Sequence, residues 1–382
     1  MTTPPFHAPG RRAWLRALPA WALAPALGAG ALCTEARATT AAAAPDRFAA
    51  LDRPALRLRQ PTRAGLLAAA LAGPRWVAVG ERGLVLLSDD QGAQWRQAVV
   101  PVSVGLTAVA FADGQRGWAV GHGGAVLATQ DGGERWHRVA EGRRLATALL
   151  EGAQAMAGSA TASATQRHAQ LLVDDGPDKP LLEVQWLPDP PGGSGTLLVL
   201  GAYGLALASR DGGAQWQPLG QAGGGLDNPK GLHLYSAAVR GREWLLVGEQ
   251  GLLLHSADGG AGFARVASPY AGSWFSALAL RDGRWLLAGL RGQVWLGAPA
   301  QGWQPVAGLP PASVLQAVAR PGGGVWLLNQ AGQLWQLHAG AAPSAVPLPA
   351  LPPLASLLPL TETRVLALSA VGPHVIELPD TP

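Results

Sequence analysis

Cysteine is nearly absent from this chain. Its 382 residues include one, Cys33, inside an N-terminal stretch that reads as an export signal. Disulfides and thiolate metal sites are therefore excluded, and stability must come from packing. Lysine is almost as scarce, with only Lys179 and Lys230, so the net charge of +4 is nearly all arginine. In an exported chain that argues against a nucleic-acid partner and mildly for an anionic one. At 14% charged residues the chain is too apolar for disorder, and its 51 Gly and 32 Pro are too many turn formers for a mainly helical protein. Beyond the N-terminal stretch no apolar run is long enough to span a bilayer. The eight histidines are scattered singly, without His-x-x-His or His-Glu-x-x-His spacing. A Gly-x-Ser-x-Gly elbow and a Gly-x-x-x-x-Gly-Lys phosphate loop are also missing. Neither a metal nor a cofactor is expected.

The N-terminal stretch has the three parts of an export signal: the basic "GRRAWLR", the apolar "ALPAWALAPALGAGAL", and the cleavage-like "ARA" from Ala36 to Ala38. Arg11 and Arg12, followed by Leu15 and Arg16, suggest the twin-arginine route. A lipoprotein would need a small residue before Cys33, and Leu32 stands there. Residues 1–38 are read as the signal, 39–52 as a linker, and 53–382 as a folded unit expected in the periplasm.

What the chain does have is a repeat. "SDDQGAQW" from Ser88 to Trp95 is written again as "TQDGGERW" from Thr129, "SRDGGAQW" from Ser209 and "SADGGAGF" from Ser256. The shared pattern falls on Ser88, Asp90, Gly92 and Trp95, and on Thr129, Asp131, Gly133 and Trp136. It recurs on Ser209, Asp211, Gly213 and Trp216, and on Ser256, Asp258, Gly260 and Phe263. A catalytic pair is normally written once, and four copies mean architecture. Each aspartate can accept N–H groups of its own turn. The glycine allows a positive φ, and the aromatic ring can bury a large area between neighbouring units. A calcium loop is the rival reading, but each copy offers too few carboxylates for the roughly six to eight oxygens the ion needs. The box is read as a turn.

Ahead of each box lies a second motif: "WVAVGERGLVLLS" from Trp76, "WAVGHGGAVLAT" from Trp118, "LLVLGAYGLALAS" from Leu197 and "WLLVGEQGLLLHS" from Trp244. Three further copies, from Trp285, Trp326 and Leu366, lack the acidic turn, making seven units mostly about forty residues apart. In the first unit "LLAAALA", "WVAVG", "LVLLS" and "WRQAVV" read as four strands A to D, bounded by turn residues. The spacing predicts an all-β fold, a seven-bladed β-propeller of four-stranded antiparallel blades. The chain ends without a fourth strand for the last unit. "RPALRLR", Arg53 to Arg59, is therefore expected to close that blade from the N-terminal side. The Ala-rich stretch 143–180 between units two and three is close to a repeat in length, but it lacks the Trp…Gly-x-x-Gly unit, so a partly helical insertion is expected rather than a degenerate eighth blade.

Tandem boxes of this kind resemble those of sialidases and other bacterial-neuraminidase-repeat propellers. The longer stretches "GWAVGHGGAVLATQDGGERW", "LLVLGAYGLALASRDGGAQW" and "LLVGEQGLLLHSADGG", with "DDGPDKP", "LDNPKGLHLY" and "SPYAGSWFSAL" between blades, resemble the photosystem II stability/assembly factor family, in its branch outside phototrophs. The resemblance covers roughly Arg75 to Leu296. It implies a non-enzymatic helper of a membrane protein complex, placed on the exported side, which is the lumenal side where the client is photosynthetic.

Topology divides the candidate residues between two faces. A–B and C–D turns share one face, so all the boxes lie there. B–C turns and the D-to-A links share the other. That second face is expected to carry Arg82, His122, Tyr203, Glu249 and Arg291 in turns, and Arg143, Arg144, His233, Tyr235 and Tyr270 in links. These are the candidate binding residues, since loops over a rigid scaffold carry function and Tyr and Arg dominate interfaces. A sialidase-like hydrolase would need an arginine cluster and a tyrosine nucleophile beside a glutamate, parts for which Arg82 and Arg291, Tyr203 and Glu249 are the candidates. The sialidase arginine motif ahead of the first box is not recognisable, and Glu81 and Glu249 lie three blades apart. No catalytic residue is assigned. The reading is a monomeric periplasmic binding propeller without nucleic acid or a retained membrane helix, whose partner is a membrane protein complex or its assembly intermediates. A ligand-binding accessory of an envelope transporter is the other reading.

Overall fold

The computed structural model describes residues 48–156, 162–189 and 195–379. Their strands form seven antiparallel sheets, six of four strands and one of three. Blade 1 is β1 (Leu66–Ala72), β2 (Arg75–Gly80), β3 (Val85–Ser88) and β4 (Arg96–Gln97). Blade 2 is β5 (Leu106–Phe111), β6 (Gly117–Gly121), β7 (Val126–Thr129) and β8 (His137–Ala140). The insertion follows as α1 (Gly142–Ala155) and α2 (Ala162–Asp175). Blade 3 is β9 (Leu181–Leu187), β10 (Thr196–Gly201), β11 (Ala206–Ser209) and β12 (Gln217–Pro218). Blade 4 is β13 (Leu234–Arg240), β14 (Glu243–Gly248), β15 (Leu253–Ser256) and β16 (Ala264–Arg265). Blade 5 is β17 (Trp274–Ala279), β18 (Trp285–Gly289), β19 (Val294–Ala298) and β20 (Gly302–Pro305). Blade 6 is β21 (Val314–Ala319), β22 (Val325–Asn329), β23 (Leu334–Leu337) and β24 (Ser344–Val346). Blade 7 is β25 (Leu354–Pro359), β26 (Arg364–Ser369) and β27 (Gly372–Glu377).

The second strand of each blade explains the ring. Its residues are buried almost without exception because both of its faces meet a neighbouring blade. Successive side chains of a strand point to opposite faces. Hence Val77 and Val79 enter the core between blades 1 and 2, whereas Trp76 and Ala78 enter the core shared with Leu366 and Leu368 of blade 7. This last seam closes the circle by side-chain packing.

The expected closing strand is not used. Residues 53–59 run along the outer rim of blade 1, where Ala55 N–H donates to the Val100 carbonyl at 3.0 Å. The Gln97 amide replaces a ladder there, accepting from Leu58 N–H at 3.0 Å and donating to the Leu56 carbonyl at 2.8 Å. The same N-terminal stretch touches blade 2 through Arg138, which donates to Asp52 at 2.9 Å. It reaches blade 7 at Thr62, whose carbonyl lies so near Gly372 that a Cβ there would come within 1.8 Å. It is a strap over three blades rather than a fourth strand. Blade 7 keeps three strands, and Pro373 within its outer strand has no N–H to offer another.

The aspartate boxes fold as turns. The hydroxyls of Ser88, Thr129, Ser209 and Ser256 accept the N–H of Gly92, Gly133, Gly213 and Gly260 at 2.8–3.0 Å. They donate to the box aspartate at 2.7–2.9 Å. Each aspartate then accepts the N–H of the residue four positions beyond itself, Gln94, Arg135, Gln215 or Gly262. The Gln94 N–H holds Asp90 below the usual carboxylate range. Gly92 has φ +89°, and a Cβ on it would lie 2.8 Å from the Trp76 ring, so only glycine fits. Strand D is shorter than expected in blade 1, pairing over two residues, because the box consumes its start.

Two substitutions separate the two modes of closure. Leu366→Ala, in the seam between blades 7 and 1, is expected to cost about 2–5 kcal/mol by cavity formation. Leu56→Asp on the exposed strap should change stability by less than about 0.5 kcal/mol. Thermal unfolding checks both; the reverse order would make the N-terminal segment the true closure.

Candidate functional site

The site is built from a clamp repeated around the ring. In six blades the first N–H of the B–C turn donates to the carbonyl just before strand A: Glu81 to Gly65, His122 to Gly105, Ala202 to Pro180, Glu249 to His233, Leu290 to Ser273 and Gln330 to Ser313, at 2.8–3.0 Å. Each turn residue is thereby held against the link that enters its own blade. The next turn residue is left-handed at Arg82, Gly123, Tyr203, Gln250 and Arg291, with φ between 50° and 70°. The residue after it is glycine. At Gly83, Gly251 and Gly292 a Cβ would come within 2.5 Å of a carbonyl of the following link. Four large side chains thus accept a backbone conformation that costs on the order of 1–2 kcal/mol in a non-glycine residue. Such strain is retained where the side chain has a use.

Blades 3 to 5 carry the densest cluster. Tyr203 packs tilted against His233 with ring centroids 5.0 Å apart, His233 meets Tyr235 at 6.2 Å, and Tyr235 meets Phe275 at 5.3 Å. Glu249 fixes this row: its carboxylate accepts His233 N–H at 3.0 Å and lies 3.5 Å from the imidazole Nδ1. Burial, then the Glu249 charge and its hydrogen bond to the hydroxyl, push Tyr235 up to about 12. Lys179 lies over the Tyr203 ring at 5.1 Å and pairs with Asp178 and Asp175 at the end of the insertion. His168 on α2 reaches the Tyr203 carbonyl at 2.8 Å. The insertion therefore emerges on the B–C face and buttresses this row.

Tyr203, His233, Tyr235 and Glu249 are brought together, and the other candidates are not. Arg82, His122 and Arg291 are exposed on the turns of blades 1, 2 and 5. Arg143 is exposed, 5.3 Å from the Phe48 ring and paired with Glu141 at 3.8 Å. Arg144 is structural: its guanidinium donates to the Val139 carbonyl at 2.8 Å and to the Ala214 carbonyl, tying α1 to blades 2 and 3. Tyr270 packs edge-on against buried Trp274 at 5.7 Å and lies outside the row. Phe275, Lys179 and His168 belong to the site although sequence reading did not select them. Phe275 had a signal, since it holds the same position in strand A as Tyr235.

Strand A also lines the central channel, where a second pattern recurs. The third residue of strand A reaches the next blade: Glu183 accepts Ala237 N–H at 3.3 Å, Ser236 accepts Ala277 N–H at 3.4 Å, Ser276 accepts Ala317 N–H at 3.1 Å, and Gln316 accepts Leu357 N–H at 2.7 Å. The belt satisfies N–H groups on the inner edges of blades 4 to 7. Glu183 is its one carboxyl, and burial pushes it up to about 7.

With this geometry in view, residues 87–156 match the family described as "Photosynthesis system II assembly factor YCF48". Over that stretch the chain is similar to the photosystem II assembly factors. A solved structure described as "YCF48 bound to D1 peptide" shares 17% identity with TM-score 0.59, covering 86% of this chain and all (100%) of that one. YCF48 from Cyanidioschyzon merolae shares 15% at TM-score 0.58, covering 83% and 96%. The fold is also that of virginiamycin B lyase from Staphylococcus aureus, with 10% identity, TM-score 0.57, and 86% and 99% covered. No curated protein matches the chain. At these identities the structural likeness speaks for the propeller alone.

Two outcomes follow for the B–C face and the channel beneath it. Arg144→Ala should lower stability by about 1 kcal/mol through lost carbonyl contacts, whereas Arg82→Asn and Arg291→Asn should leave the melting temperature unchanged or raised, since Asn tolerates the left-handed turn. A carboxyl raised above its unfolded value binds its proton better when folded, so Glu183 favours the fold below the unfolded value, and this contribution is lost as pH rises toward about 7. Glu183→Ser copies the serines of blades 4, 5 and 7. It should raise stability above pH 7 by on the order of 2 kcal/mol, once channel water is allowed for, and flatten the pH dependence of denaturant unfolding between about pH 4.5 and 7.

Proposed function

We propose that this chain is a non-enzymatic binding propeller that works on the exported side of the membrane, in the periplasm, and assists assembly or stability of a membrane protein complex. The observation that carries this reading is the row Tyr203, His233, Tyr235 and Phe275 on the B–C face, held by Glu249 and buttressed by the insertion. Rigid aromatic side chains on such a shelf suit an extended segment of a partner protein, because they give large contact area for little entropy. The match over 87–156 and the structure of a similar propeller with a D1 peptide support a membrane protein as client.

The geometry disfavours a sialidase-like hydrolase. Tyr235 does lie beside Glu249, as a nucleophile and its base would, but its hydroxyl is pushed up to about 12, which keeps the phenol protonated. Arg82 and Arg291 belong to the turns of blades 1 and 5, and no arginine contact to Tyr235 or Glu249 is present among the described residues.

Immobilised protein should capture an integral membrane protein from solubilised membranes. Tyr235→Ala should weaken that capture by on the order of 2 kcal/mol, about thirtyfold, with the fold intact by circular dichroism. Recovery of soluble protein or glycan alone would defeat the assembly reading, and hydrolysis of a fluorogenic sialoside that disappears in Tyr235→Phe would replace it.

A further inference from the structure

The second residue of every strand A lines the central channel, a cavity of about 1690 Å³. At the B–C end, where strand A begins, these residues are Leu67, Thr107, Leu182, Tyr235, Phe275 and Leu315, with Ala355 completing the circle. All but one of the seven are apolar or aromatic, so the mouth is a greasy collar, continuous through Tyr235 and Phe275 with the shelf above. One residue deeper, about 3.3 Å along a strand, stands the Glu183 carboxyl. It too lines the cavity and is partly exposed to it.

The groups around that carboxyl are neutral. Gln185 and the Ala237 N–H donate to it, Ser236 lies beside it on β13, and Thr107 lines the wall from β5. Tyr235 begins the same wall, while the other charged groups lining the cavity, Arg210 and Arg242 with Asp189, Asp211 and Asp258, stand toward its aspartate-box end. A carboxyl with no cation beside it among the described residues, below an apolar collar, is complementary to a long aliphatic stem with a positive tip. Lysine and arginine have that shape, and they commonly lay their stems on apolar surface while the charge reaches a polar partner.

We propose that the channel mouth receives a lysine or arginine side chain of the bound segment, its stem within the collar and its cation on the Glu183 carboxylate. This rests on the B–C face being the partner-binding face, and it names the anchor that face selects.

The probes are fluorescein-labelled heptapeptides, Ala-Ala-Gly-X-Gly-Ala-Ala, with X lysine, arginine, norleucine or glutamate, titrated by anisotropy against the whole chain. At pH 8 the lysine and arginine peptides should bind at least about tenfold more tightly than the norleucine peptide, and the glutamate peptide most weakly. Because the free carboxyl lies at about 7, the lysine affinity should rise about tenfold from pH 6 to pH 8 while norleucine stays level. Glu183→Ser and Glu183→Gln should both abolish the lysine preference, and Phe275→Ala should weaken lysine and norleucine alike. Equal binding of lysine and norleucine, an undiminished preference in both Glu183 variants, or no binding of any peptide would overturn the inference. Capture of an integral membrane protein together with any of these results would leave the wider function standing.

Discussion

The hydrogen bond that, in six blades, runs from the first N–H of the B–C turn to the carbonyl ahead of strand A is the constraint on which the rest depends. It fixes a turn and a link of the same blade side by side, and the glycine two residues on lets the next blade's link approach from the other side. In blade 3 it sets Tyr203 beside Lys179, and in blade 4 it sets Glu249 beside His233. Chemistry that looks scattered in sequence is gathered because the backbone has already been clamped. A rigid fold of this type can therefore vary its recognition surface by changing only turn residues.

The ring itself closes by the burial of alternate faces of strand B rather than by exchange of a terminal strand. The core of Trp76, Ala78, Leu86, Leu366 and Leu368 is built like the other seams, and the ion pair of Arg364 with Glu377 lies at its edge. The N-terminal strap adds contacts across blades 2, 1 and 7 without joining any sheet as a strand. The strap meets the B–C side of blades 2, 1 and 7 at Gly123, Gly83 and Gly372, away from the aromatic row on blades 3 to 5.

Much of this was legible in the sequence, and the reasons are physical. A box of Ser/Thr, Asp, Gly and an aromatic is local, so its turn geometry and repetition could be read directly, as could the blade count and the helical insertion. Chain order alone assigned turns and links to one face and so anticipated Tyr203, His233, Tyr235 and Glu249. What could not be read was the partner of each exposed group. Arg144 and Arg82 look alike in sequence, yet one binds the carbonyls of two blades and the other stands on a strained turn. The fate of Arg53–Arg59 turned on competition between two edges, one offering the Gln97 amide and the other interrupted by Pro373. Glu183 passed unnoticed because its meaning comes from Ala237, 54 residues away.

Site-specific photo-cross-linking in intact envelopes tests the central claim most directly. A photoreactive residue placed at Tyr203, on the B–C face, is predicted to capture an integral membrane protein, while one at Gln91, on an aspartate-box turn, captures none. Cross-links from Gln91 with none from Tyr203 would contradict the account.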